Sequence, residues 1–216
     1  MITVLIVDDH ELVRAGIRSL LSSVNGLKVI GEAATGEEAV KIAREKHPNV
    51  VLMDVRMPGI GGLEATRKLL RADPDIKVIA LTVCGEEPFP SKLLQAGAAG
   101  YLTKGSALDE MVQAIHSVFH GKRYISPEVA QQLALKHLSD EKVSPFETLS
   151  ERELQVMLMI TSGQKVQEIS DKLCLSPKTV NSYRYRLFDK LNVHSDVELT
   201  HLAIRHGILD TETTSS

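Results

Sequence analysis

Residues 2–10 read Ile2-Thr3-Val4-Leu5-Ile6-Val7-Asp8-Asp9-His10. A short, wholly β-branched and aliphatic run is the signature of a strand buried on both faces. Two carboxylates follow it at once, so the carboxyl end of that strand carries negative charge. The same form returns downstream. Val50–Met53 ends on Asp54, Lys77–Leu81 ends on Thr82, and Gly100–Thr103 ends on Lys104. Leu27–Gly31 is a fifth run of the same length class.

Between these runs lie amphipathic helical stretches, at about Glu11–Ser23, Gly36–Lys46, Gly62–Ala72, Ser91–Ala96 and Leu108–His120. In the first, Leu12, Ala15, Ile17, Leu20 and Leu21 approximate one face. Strands that each lead into a helix predict an α/β fold, with one parallel sheet covered by helices on both sides. Right-handed crossovers leave few topologies open. Ligands of such sheets bind beyond the carboxyl ends of the strands, which is where Asp8, Asp9, Asp54, Thr82 and Lys104 fall.

Clustered carboxylates repel one another, and a hard divalent cation relieves that repulsion. Mg²⁺ takes oxygen ligands, keeps several waters and commonly bridges to a phosphoryl group. A nearby ammonium neutralises phosphoryl oxygens, and a hydroxyl donates to one. An aspartate can itself attack phosphorus to give an aspartyl-phosphate. The chemistry suggested is Mg²⁺-dependent phosphorylation of an aspartate. Taken singly, each residue has a plainer reading: Asp9 could cap the helix near Glu11, Thr82 could be structural, and Lys104 could be solvated. Their joint placement, each at its own strand end, favours the site.

Val7-Asp8-Asp9-His10, Met53-Asp54-Val55-Arg56-Met57-Pro58-Gly59, Leu81-Thr82 and Thr103-Lys104 together resemble the receiver domain of two-component response regulators. That resemblance covers about residues 1–122 and implies a five-stranded sheet of flavodoxin-like order 2-1-3-4-5. It implies Asp54 as the acceptor of a phosphoryl group from a sensor histidine kinase or phosphotransfer protein. It further implies Asp9, Asp54 and the backbone carbonyl of Arg56 as Mg²⁺ ligands, with Asp8 helping through water. Thr82 and Lys104 match the phosphoryl contacts, and Tyr101 the aromatic switch residue that turns inward on activation. One departure is that Lys104 is followed by Gly105-Ser106, where many receivers have proline; a trans bond with a flexible glycine is expected. Gly85-Glu86-Glu87-Pro88-Phe89-Pro90 also predicts a shortened fourth helix.

After Gly121 the alternation stops. Residues 123–146 read as a linker containing a helix from Ser126 to about His137, and residues 147–210 as a small all-helical domain, with a tail at 211–216. Ser150 and Glu153 form a capping box pattern ahead of a helix that buries Leu154, Met157, Leu158 and Thr161. A short helix over Val166–Leu173, the turn Cys174-Leu175-Ser176-Pro177 and a helix capped by Ser176 make a helix-turn-helix arrangement. A last helix spans about Ser195–His206. Helical spacing turns Val180, Tyr183, Leu187 and Leu191 inward. Asn181, Ser182 and Tyr185 are then candidate base-edge readers, and Lys178, Thr179, Arg184, Arg186 and Lys190 candidate phosphate contacts.

Leu149–Glu153, Ile169–Leu173, Leu175–Asn181 and Lys190–Val193 resemble the LuxR-type helix-turn-helix domain, in which the last helix serves dimerisation. A receiver joined to it resembles the NarL/FixJ-type response regulators. Within them, Leu173–Asp189 and Asp196–Gly207 look closest to the GacA/UvrY/SirA group. The resemblance implies a cytoplasmic, non-enzymatic transcription regulator, supporting only its own phosphorylation and dephosphorylation. It would bind DNA as a homodimer, activate small regulatory RNA genes and meet RNA polymerase as a further partner.

Composition sets bounds on this reading. The chain has 216 residues, 43% hydrophobic and 25% charged, as a soluble one- or two-domain protein would. Its longest apolar runs fall far short of a membrane span, and no signal-peptide pattern follows Met1. Cys84 and Cys174 form no CxxC pair and the histidines no HxxxH spacing, so neither a disulfide framework nor a zinc site is expected. A phosphohydrolase of the haloacid-dehalogenase type needs two aspartates one residue apart, whereas Asp8 and Asp9 are adjacent. An adaptor whose helical domain leaves DNA alone is the other rival. The net charge is −3, which at face value disfavours DNA. Within Lys178–Lys190, however, four basic residues face one acidic residue, so a narrow electrostatic footprint is predicted.

Overall fold

A computed structural model describes residues 1–82, 89–138 and 144–209. These fall into two compact units, the first running to residue 138 and the second starting at 144. Expectations about Cys84, Gly85–Pro88 and the tail at 211–216 fall outside the described residues.

The first unit alternates strand and helix: β1 (Ile2–Val7), α1 (Glu11–Ser22), β2 (Leu27–Ala33), α2 (Gly36–Lys46), β3 (Val50–Asp54), α3 (Gly61–Ala72), β4 (Lys77–Thr82), α4 (Phe89–Gln95), β5 (Gly100–Thr103), α5 (Leu108–Phe119), β6 (Tyr124–Ile125) and α6 (Pro127–Leu138). All strand pairs are parallel, in the order β2-β1-β3-β4-β5-β6. The period of two along β1 sorts its side chains. Val4 and Ile6 join Ile17 and Leu21 of α1 and Met111, Ile115 and Val118 of α5 in one core. Leu5 and Val7 join Ala39 and Val40 of α2 and Ala65 and Leu69 of α3 in the other. Burial on both faces is why these strands read as continuous apolar runs rather than alternating ones.

The predicted order 2-1-3-4-5 is present, but the sheet has six strands, not five. The sixth comes from the segment read as linker. Gly121, at φ +79, ends α5 and turns the chain back, and Tyr124 and Ile125 then pair with Gly100 and Tyr101. Two residues are too short for a strand period to register in a sequence. Beyond β6, Ser126 and Val129 are buried, so the helix expected in the linker starts within the first unit. The α4 helix is seven residues long, short as expected from its prolines.

The second unit holds a 3₁₀ turn (Pro145–Thr148), α7 (Glu151–Thr161), α8 (Val166–Leu173), α9 (Pro177–Leu191) and α10 (Asp196–Arg205). Its helix starts follow side-chain chemistry. Ser150 Oγ accepts from the Glu153 N–H while Glu153 returns a contact to the Ser150 N–H, completing the capping box. Ser176 caps α9 ahead of Pro177, and Ser195 caps α10. The sequence stripe for α7 is too narrow: Val156, Met159 and Ile160 are buried too, and Leu158 is only half-buried. This helix contacts both α9 and α10, so it is enclosed on more than one side.

Candidate functional site

The carboxyl ends of β1, β3, β4 and β5 gather Asp8, Asp9, Asp54, Thr82 and Lys104 as the topology requires. Asp8 and Asp54 are buried, whereas Asp9 is exposed. Lys104 Nζ lies 2.9 Å from Asp8 Oδ2 and 2.8 Å from Asp54 Oδ2, bridging the two buried carboxylates. Asp54 Oδ1 accepts from the Arg56 N–H at 3.1 Å. Burial pushes Asp54 up to about 7, against the pull of the Lys104 ammonium, and the neighbouring Asp8 carboxylate adds to the rise. Burial pulls Lys104 down, but Asp54 and Asp8 outweigh it and hold the ammonium above its ordinary value.

The neighbouring strand ends complete the rim. Thr82 and Thr103 are paired across β4 and β5, and both are buried. The Lys104 N–H donates to the Thr82 carbonyl at 2.6 Å, which ties the lysine backbone to the hydroxyl-bearing strand end. Tyr101 is fully buried. Gly105 shows no left-handed φ, and a Cβ there would stand in open space; glycine at this point is therefore not demanded by the turn.

Asp9 does not cap α1. The N-cap is His10, without a side-chain capping bond, which leaves the Asp9 carboxylate for the pocket. Ligand atoms of Asp8, Asp9, His10 and Asp54 all lie within 4.8 Å of one another. Three carboxylates, two of them buried and one held up near 7, form the oxygen-rich donor set that a hard dication stabilises. The residues present fit Mg²⁺.

Two contributors escaped the sequence reading. Arg14 Nη1 donates to the Asp8 backbone carbonyl at 2.6 Å, with its Nε 3.9 Å from Glu32 on β2. Its target is a main-chain atom, for which spacing carries no signal. His10 Nδ1 sits 2.8 Å from Asp9 Oδ1 and 3.3 Å from Asp8 Oδ1. Its place directly after the acidic pair was the available clue.

In the second unit, α9 buries Val180, Leu187 and Leu191 and half-buries Tyr183. Lys178, Ser182, Tyr185 and Arg186 are exposed, and Thr179 and Asn181 half-exposed. Lys178, Thr179, Ser182, Tyr183 and Arg186 line one open groove. The structure gives two of the predicted phosphate contacts other work. Arg184 forms a two-pronged pair with Asp196, at 2.7 Å on each prong, and lies over the Phe188 ring. Lys190 Nζ contacts Glu153 at 2.7 Å and donates to the Thr148 carbonyl.

The family described as "Response regulator receiver domain" matches residues 4–116, and that described as "Bacterial regulatory proteins, luxR family" matches residues 147–203. The chain is 67% identical over 210 residues to the response regulator GacA of Pseudomonas protegens, covering 97% of this chain and 99% of that protein. It is 65% identical over 217 residues to the response regulator UvrY of Escherichia coli, covering all of both. Among solved structures, it resembles RcsB from Salmonella enterica serovar Typhimurium, bound to promoter rprA with phosphomimetic BeF₃⁻. The TM-score there is 0.72 at 25% identity, over 94% of this chain and 98% of that one. It also resembles the response regulator ChrA of a heme-sensing two-component system, with a TM-score of 0.56 at 29% identity over 96% and 98% of the chains.

Proposed function

The chain belongs to the response regulators, as a receiver domain joined to a luxR-family domain, and on that premise we propose that phosphorylation of Asp54 switches its binding to double-stranded DNA. The observation that carries this reading is the Lys104 bridge between two buried carboxylates, one of them Asp54. An Asp54 oxygen forms a bond to phosphorus as the bond from phosphorus to the donor breaks. The donor is the phosphohistidine of a sensor kinase or phosphotransfer protein. Asp9 and Asp54, with Asp8 assisting and the Arg56 carbonyl as a further ligand, would hold Mg²⁺, which would supply charge neutralisation for the transferred group. Lys104 then exchanges its carboxylate contact for a phosphoryl oxygen, and the Thr82 hydroxyl donates to another. Thr82 and Tyr101 then shift together, altering the surface of the receiver.

On the DNA side, α9 is the recognition helix. Asn181, Ser182 and Tyr185 reach base edges, and Lys178, Thr179 and Arg186 contact phosphates. The RcsB structure bound to a promoter, at similar fold, supports the DNA-binding reading. Two copies pairing through the last helix would set two recognition helices about one helical turn apart. Activation of small regulatory RNA genes is the output that the resemblance to the GacA/UvrY/SirA group implies. No described helix is long and apolar enough to cross a membrane, and the cytoplasm is the setting we assign. Incubation with a small-molecule phosphoryl donor and Mg²⁺ tests the acceptor. The wild type should take up one labelled phosphoryl group and Asp54→Ala none; equal labelling of both would remove Asp54 from the role.

A further inference from the structure

The pocket contains a nitrogen donor that an all-oxygen Mg²⁺ site does not need. His10 directly precedes α1, and its backbone N–H donates to Asp8 Oδ1 at 2.8 Å. That bond holds the imidazole over the carboxylates. Its Nδ1 lies 2.8 Å from Asp9 Oδ1 and 3.3 Å from Asp8 Oδ1, and it shares the 4.8 Å cluster with Asp54. Adjacent ligands of an octahedral ion at roughly 2.1 Å stand about 3 Å apart. The two His10 distances bracket that edge. The side chain is 67% exposed, so the ring is held at the mouth of the pocket, where an ion enters from solvent.

An imidazole nitrogen is accepted more readily by first-row transition dications, with affinity rising from Mn²⁺ along the series, than by Mg²⁺, which takes oxygen ligands and gives up its waters reluctantly. We propose that His10 Nδ1 is a direct metal ligand and makes this pocket a mixed nitrogen–oxygen site that selects a transition dication such as Mn²⁺ over Mg²⁺. This rests on the receiver reading above, because the same carboxylates complete the site. The relative occupancy by the two ions then depends on His10 and not on Asp54, which serves both equally.

The test titrates the full-length protein with Mg²⁺ alone and with Mn²⁺ alone, by calorimetry, and records nitrogen couplings on bound Mn²⁺ by pulsed paramagnetic resonance. Wild type, His10→Ala and Asp54→Ala are compared. His10 is exposed at the surface, so its truncation leaves the core untouched. The expected result is a nitrogen coupling in the wild type that His10→Ala abolishes. The Mn²⁺-over-Mg²⁺ preference should fall about tenfold, the usual scale for losing a group at a metal site. Absence of the coupling in the wild type overturns the proposal, and so does an equal change in both affinities in His10→Ala. If Asp54→Ala weakens both ions, the receiver reading stands whatever His10 does. If neither ion binds the wild type, that reading fails as well.

Discussion

Asp54 joins stability to function at a single atom group. Its folded-state value of about 7 stands above the ordinary carboxyl value of 3.8. The folded protein therefore holds this proton more tightly than the unfolded chain does. The resulting stabilisation is complete below 3.8 and fades as pH rises through 7. Across that window the metal-free protein should lose on the order of 4 kcal/mol from this group as an upper figure. Urea unfolding of wild type against Asp54→Asn from pH 5 to 8, with chelator present, checks it. The wild type should weaken with rising pH relative to the variant, and Mg²⁺ should remove most of the difference; parallel curves would contradict the burial effect. Gly62 is a second residue with a clear demand, since a Cβ there would overlap the Asp54 carbonyl oxygen. Gly62→Ala should cost about 1–3 kcal/mol by overpacking and weaken Mg²⁺ binding through displacement of Asp54. Thermal unfolding and metal titration read the two effects separately.

At the scale of elements, the α9 helix commits two of its cations, Arg184 and Lys190, to contacts with carboxylates of other helices. Lys190 meets Glu153, which is only 4% exposed. Burial raises that carboxyl, but the Lys190 ammonium and the Ser150 contacts more than offset it and hold Glu153 below its usual range. Glu153 therefore contributes stability above the ordinary carboxyl range that is lost as pH falls. Lys190→Ala strands a buried carboxylate and should destabilise the second unit by about 1–2 kcal/mol, discounted because the lysine itself is partly exposed. The loss should show in denaturant unfolding at pH 7 and shrink toward pH 4. In the proposed DNA complex, recognition would rest on the other residues. Tyr185→Ala should weaken specific DNA binding by about 1–3 kcal/mol with the salt dependence unchanged, whereas Lys178→Ala, lost from both subunits of a dimer, should flatten the salt dependence by about two units. Binding isotherms at several salt concentrations separate them. A sequence shows that Arg184 and Lys190 are basic and outward-leaning. It does not show that Asp196 and Glu153, on other helices, claim them.

For the whole molecule, the parallel sheet and its acidic rim were legible because period and position coincide. Aliphatic runs of strand length ended on Asp9, Asp54, Thr82 and Lys104, and right-handed crossovers left one end of the sheet for all of them. What escaped was short or main-chain in origin. The two-residue β6 has no period of its own, and Arg14 acts on a backbone carbonyl. The enclosed α7 shows more than one buried face, which a single-stripe reading cannot contain. The charge expectation is sharpened by the same structure. With Arg184 and Lys190 engaged by carboxylates, Lys178 and Arg186 are the exposed α9 cations that no carboxylate engages among the described residues. A dimer would then neutralise about four phosphates, giving a slope of log affinity against log salt of roughly −4. Such weak electrostatics make the phosphorylation step matter, because a bias of a few kcal/mol in a two-state equilibrium then decides occupancy. The most direct measurement is DNA affinity of the wild type and Asp54→Ala, each with and without a small-molecule phosphoryl donor and Mg²⁺. The account predicts at least tenfold tighter binding of the wild type on phosphorylation and no change in Asp54→Ala. An equal gain in both, or none in a fully phosphorylated wild type, would contradict it.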